Sequence, residues 1–90
     1  MRKYELDSEI RSKLRLLGQI IKEYRVYSFL SRMDINELYG FPRSLVERIE
    51  YGENITLNTL FRISDILEIT LSDIFKEIEE KISKNNTKTR

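Results

Sequence analysis

Arg43, Ser44, Glu47, Arg48 and Tyr51 are the residues of this chain whose types and spacing can do chemistry. Ser44, Glu47, Arg48 and Tyr51 recur at i, i+3, i+4 and i+7, so a helix through them carries them on one side, with Arg43 at its leading end. Leu45, Val46 and Ile49 fall on the opposite side. A guanidinium donates two parallel hydrogen bonds, and guanine O6 and N7 accept such a pair in the major groove of a duplex. Arg43 and Arg48 are therefore candidates for base contact; the alternative is that both are solvated surface arginines. Glu47 can accept from a cytosine amino group, orient Arg43 or Arg48, or serve only solubility. Ser44 and Tyr51 suit supporting contacts to phosphate or a thymine methyl, which set register, and Arg32 and Asn54 suit phosphate.

Other chemistries are poorly provided for. The 90 residues contain no cysteine and no histidine, which removes thiolate metal sites, the commonest general base and the commonest metal ligand. No glycine-rich phosphate loop occurs, the carboxylates are scattered, and a chain this short builds a core but not a deep cleft as well. The expectation is a protein that is not an enzyme, with no cofactor, no metal and no small-molecule ligand. The charged N-terminus, MRKYELDSEIRSK, lacks the apolar core of a secretory signal, and no window reaches membrane-spanning length, so the cytoplasm is the expected location.

Sixteen basic residues against fifteen acidic ones leave a net charge of +1. Residues 1–17 hold five basic and three acidic groups, residues 18–60 five and six, residues 61–75 one and three, and residues 76–90 five and three. By count the arginine-bearing helix is not a positive patch, so a role on a polyanion needs its arginines on one face and its acids turned away. Nonspecific affinity should then be weak and the salt dependence modest.

The elements that must position these residues read as helices throughout, since only three glycines and one proline interrupt 3.6-residue periodicity. Ser8 is a candidate cap for a helix to about Ser28, with Ile10, Leu14, Leu17, Ile21 and Tyr24 recurring at three- and four-residue steps and Gly18 at a kink or boundary. Ser31, with Asp34 three residues on, opens a short helix carrying Ile35, Leu38 and Tyr39 as an apolar stripe, and Gly40 ends it. Pro42 suits the first turn of the next, which carries the arginines to residue 51. Thr56 caps a fourth helix through about Leu67, with Leu57, Leu60, Ile63 and Leu67 inward. Thr70 and Asp73 open a fifth, with Leu71, Ile74, Phe75, Ile78 and Ile82 along one side. Phe75 is enough to close a domain, yet the stripe continues past it; Ile78 and Ile82 then meet either a second subunit or Ile10, Leu14 and Leu17 of the first helix. The final SKNNTKTR has no apolar residue and reads as disordered.

Taken together, these residues resemble the lambda-repressor-like (Xre) family of helix-turn-helix regulators, which includes phage repressors and the controller proteins of restriction–modification systems. The resemblance runs without gaps from Gly18 to about Glu77 and rests on Gly18, Ile21, Arg25, Leu30-Ser31, Ile35, Gly40, Ser44, Val46, Arg48-Ile49-Glu50, Gly52-Glu53, Leu57, Leu60, Ile63, Leu71, Ile74 and Phe75. It implies an all-α, compact five-helix DNA-binding domain, which falls on residues 18–83; the chain's own pattern makes 1–17 an N-terminal helical extension and 84–90 a disordered tail. It also implies a transcriptional regulator that binds double-stranded DNA, usually as a homodimer on a palindromic operator and most simply as a repressor. The apolar stripe of the fifth helix makes Ile74, Ile78 and Ile82 the candidate subunit interface. Arg25 and Glu50 are implied to pair, tying the first helix to the end of the third. The chain departs from the family pattern at Phe29, where Gly is usual, at Arg32 for a common Gln, at Asn36 for a small Ala, and at Pro42 for a Ser or Thr cap. A rival reading on the same fold is a protein-interaction module, such as an antitoxin or an anti-regulator.

Overall fold

The computed structural model describes the backbone of residues 3–88 and the side chains of residues 5–84. Within them are five α-helices and no strand: α1 Lys3–Tyr27, α2 Arg32–Tyr39, α3 Arg43–Glu50, α4 Leu57–Ile66 and α5 Leu71–Lys88. The helix starts follow from side-chain caps. Ser31 Oγ accepts from the Asp34 amide at 2.9 Å while Asp34 Oδ2 accepts from the Ser31 amide at 2.8 Å, a reciprocal pair that satisfies two otherwise orphaned donors. Thr56 Oγ1 accepts from the Thr59 amide and Thr70 Oγ1 from the Asp73 amide. Pro42 is the residue before α3, not its first helical one, and gives it no side-chain cap.

α1 differs from the helix expected to begin at Ser8. It is already helical at Lys3, Glu5 in its first turn complements the helix dipole, and it passes through Gly18 without a break. Residues 3–17 therefore belong to one helix that continues through Gly18 into the domain, and Leu17 and Gly18 are buried. The far end of the chain differs as well. Once a helix is nucleated, each added residue gains a backbone hydrogen bond, and α5 carries on through Lys88 into the segment expected to be disordered. Residues 89 and 90 lie outside the described residues.

The core is built of branched aliphatic side chains from every helix: Ile20 and Ile21 of α1, Ile35 of α2, Val46 and Ile49 of α3, Leu60 and Ile63 of α4, and Ile74 and Ile78 of α5. Burying each such isoleucine stabilises the fold by about 1.5–3 kcal/mol. Several inward assignments fail. Leu38 and Tyr39 are exposed, because the short α2 touches the core through Ile35 and the turn after it folds Phe41 inward instead, 3% exposed. Leu57 and Phe75 are also exposed. The stripe on α5 is covered largely within the chain: Ile74 and Ile78 are buried, Ile82 is half-buried, and an open groove between α1 and α5 is lined by Ile10, Leu14, Leu17, Phe75, Ile78 and Ile82. Tyr24 of α1 faces Glu77 and Asp73 of α5, and its burial, followed by those carboxylates, raises its hydroxyl above the ordinary 10.0.

Two helices end on non-glycine residues in left-handed backbone, Phe29 at φ 58° and Glu68 at φ 55°. Leu30 N–H returns to the Arg25 carbonyl at 3.2 Å, and Ile69 N–H to that of Ser64 at 3.0 Å, so each end closes as glycine usually allows, but with a Cβ in the way.

Candidate nucleic-acid interface

α3 buries Val46 and Ile49 and half-buries Leu45, which turns Arg43, Ser44 and Arg48 outward. Tyr51, the residue that ends the helix, and Asn54, beyond it, are exposed as well. Arg43 has no ion-pair partner among the described residues. Arg48 Nε donates to Glu53 Oε1 at 3.3 Å, both side chains 52% exposed, so an acid outside the helix steadies Arg48. Glu47 is half-buried and takes no part in that pair. Glu53 belongs to the exit turn Gly52-Glu53-Asn54, and nothing in the sequence marks it as the partner of Arg48. Its partnership with Arg48 across five positions is made by the turn that leaves α3, and helical spacing could not have indicated it.

The inner end of α3 is held by one carboxylate and two guanidinium groups. Glu50 Oε2 accepts from Arg25 Nε at 2.6 Å and Oε1 from Arg25 Nη2 at 3.1 Å, while Arg25 Nη1 donates to the Leu30 carbonyl at 2.9 Å. Arg32, at the start of α2, donates to the same Oε1 from Nη2 at 2.9 Å and from Nε at 3.3 Å. The Glu50 side chain is 3% exposed, that of Arg25 10% and that of Arg32 33%. The hydrogen bond from Glu50 is the main reason the Arg32 guanidinium is held still further above its ordinary value. Arg32 is thus engaged with Glu50 and joins α2 to α3, in contrast to a side chain free to reach a phosphate. No sequence rule signals this contact, because the two residues are eighteen positions apart on separate elements.

Asn36, where a small residue is usual, is exposed, and its Nδ2 donates to the Phe41 carbonyl at 3.2 Å. It braces the turn between α2 and α3. Gly18 lets α1 cross the end of α3 at backbone contact: a Cβ there would overlap the Ile49 carbonyl oxygen and stand 2.9 Å from that of Glu50. Gly52, at φ 83°, lies under Arg15 in a looser approach, with Arg15 Cγ 3.0 Å from where its Cβ would be.

The arrangement can present donors to a groove, and among the described residues no cluster of three or more acidic or imidazole groups is placed to hold a metal ion. No helix among them is long and apolar enough to cross a membrane. Comparison with known proteins agrees with this geometry: residues 20–80 match the family model of a Cro/C1-type helix-turn-helix DNA-binding domain. No curated protein and no solved structure matches the chain significantly.

Proposed function

The chain belongs to the Cro/C1-type helix-turn-helix DNA-binding family, and from that premise we propose that it is a sequence-specific transcriptional regulator, acting as a repressor on a palindromic operator as a homodimer. The observation that carries the proposal is the two-sidedness of α3: Val46 and Ile49 are buried, Arg43, Ser44 and Arg48 face outward, and Glu50 anchors the helix to α1 and α2. A short helix held rigidly with donors outward can enter a major groove, where each well-placed arginine on guanine discriminates by about 1–3 kcal/mol. Arg43 and Arg48 contact bases, Glu47 accepts from cytosine or limits which base Arg43 reaches, and Ser44, Tyr51 and Asn54 set register on sugar and phosphate. Arg32 reaches a phosphate only by sharing or leaving Glu50.

The dimer rests on the groove between α1 and α5. Ile74 and Ile78 spend their surface inside the monomer, so Ile82, together with the exposed Phe75 and Ile10, forms the surface offered to a second copy. Phe75→Asp combined with Ile82→Asp is expected to give a monomer by sedimentation; an unchanged sedimentation coefficient would rule this surface out.

Selection from a randomised duplex pool, with sequencing of what stays bound at moderate salt, tests the function. Enrichment of an inverted repeat supports a dimeric operator-binding regulator, and loss of that preference in Arg43→Ala or Arg48→Ala places the readout on α3. Residues 31–54 hold three basic and five acidic groups, which supports the second reading, a protein-interaction module such as an antitoxin or an anti-regulator. No enrichment by folded protein would favour that reading.

A further inference from the structure

The helix-turn-helix segment carries a net charge of −2 over residues 31–54, and of its three arginines Arg32 and Arg48 are already paired with acids. DNA affinity comes largely from neutralising phosphates, so a reader with one unpaired arginine lacks most of that attraction. The missing charge lies on α1. Residues 10–22 hold four basic groups, Arg11, Lys13, Arg15 and Lys22, and no acid. At helical spacing Arg11, Arg15, Gly18, Lys22 and Arg25 recur at i, i+4, i+7, i+11 and i+14, on one face of the helix.

The contacts identify where that face looks. Gly18 on it touches the carbonyl end of α3, Arg25 on it bonds Glu50, and the Arg15 stem lies over Gly52 in the turn that leaves α3. Arg11, Arg15 and Lys22 are exposed and have no ion-pair partner among the described residues. Asp7, one turn before Arg11 on the same face, is the acid that bounds the stripe.

We propose that the N-terminal half of α1 is a second DNA-backbone contact, in which Arg11 and Arg15, with Lys22, neutralise phosphates flanking the segment that α3 enters. This rests on the DNA-binding reading of α3. The alternative use for Arg15 is to offset the negative end of the α3 dipole, which would alter stability and leave the salt dependence of binding unchanged.

The test compares the wild type, Arg11→Gln with Arg15→Gln, and Arg11→Lys with Arg15→Lys on the selected operator over a range of salt. The glutamine pair is expected to weaken specific and nonspecific duplex binding alike, by roughly tenfold or more near physiological salt. It should also flatten the slope of log K against log salt by about 2. Base preference should not change, and the lysine pair should bind within a few-fold of the wild type. Phosphate ethylation interference should lose signals flanking the half-site in the glutamine pair. A glutamine pair that melts normally and keeps the wild-type slope would overturn the proposal while leaving the reading of α3 intact. A wild type that binds no duplex at low salt would overturn both.

Discussion

The backbone of Gly18 rests against the carbonyl oxygen of Ile49, where α1 crosses the last turn of α3. A methyl group at residue 18 has no flexible side chain to push aside, only the carbonyls of Ile49 and Glu50. Helix propensity alone would make Gly18→Ala stabilising by about 1 kcal/mol. The crossing reverses that sign: the expected result is a loss of about 1–3 kcal/mol in chemical denaturation, as for overpacking of a tight interior. A stabilised Gly18→Ala would mean that the helices do not meet there.

Among the described residues, Glu50 is the single acid that pairs with Arg25 and Arg32. Glu50→Ala leaves Arg25 nearly buried without a partner and releases Arg32, and removing one member of a buried pair costs about 3–5 kcal/mol. The melting temperature should fall and DNA binding weaken indirectly, through the orientation of α3. Arg32→Gln, at a partly exposed position, should cost far less. A Glu50→Ala protein with wild-type melting and binding would remove the bracing role.

Phe29 and Glu68 both sit in left-handed backbone that a side chain adopts at a cost of about 1–2 kcal/mol. Phe29 is 93% exposed, so little packing is lost with its ring. Phe29→Gly and Glu68→Gly should each raise stability by about 1 kcal/mol, or roughly 4–8 °C in melting temperature. The two gains should add, since the residues end different helices and share no partner. Thermal melts of the two variants and their combination check this.

Tyr24 links stability to alkaline pH. Its hydroxyl is raised in the folded chain by burial first and by Glu77 and Asp73 second, whereas in the unfolded chain it ionises at its ordinary value. The folded state therefore holds the proton longer. The stability tied to it is complete below about pH 10 and is lost as pH rises through the raised folded value. Tyr24→Phe should lose stability less steeply above pH 10 than the wild type. Parallel curves for the two proteins in denaturant titrations would exclude the linkage.

Local chemistry made much of this protein legible from its residues alone. The caps at Ser31, Thr56 and Thr70 and the 3.6-residue recurrence of Ile21, Val46, Ile49 and Ile63 depend on neighbours within a few positions, and the helices form where those residues indicate. The outward side of α3 was readable for the same reason, because one helix face is set by spacing.

Of the contacts between elements, only the Arg25–Glu50 pair was expected, from the family resemblance and not from local chemistry, and it is present. Leu38, Tyr39 and Leu57 obey the same periodicity as core residues, yet the packing of short helices leaves them outside and takes in Phe41 from a turn. The sharing of Glu50 by Arg25 and Arg32, the pairing of Arg48 with Glu53, and the placing of Arg15 over Gly52 join residues whose distance along the chain carries no geometric rule. Sequence by itself determined the number and order of the helices and the side of α3 that carries Arg43, Ser44 and Arg48, since these follow from local hydrogen bonds and helical repeat. It did not determine where α1 begins or α5 ends. Only tertiary packing decided which charges are neutralised inside the fold and which remain free on α1 and α3, because pairing depends on how the helices cross.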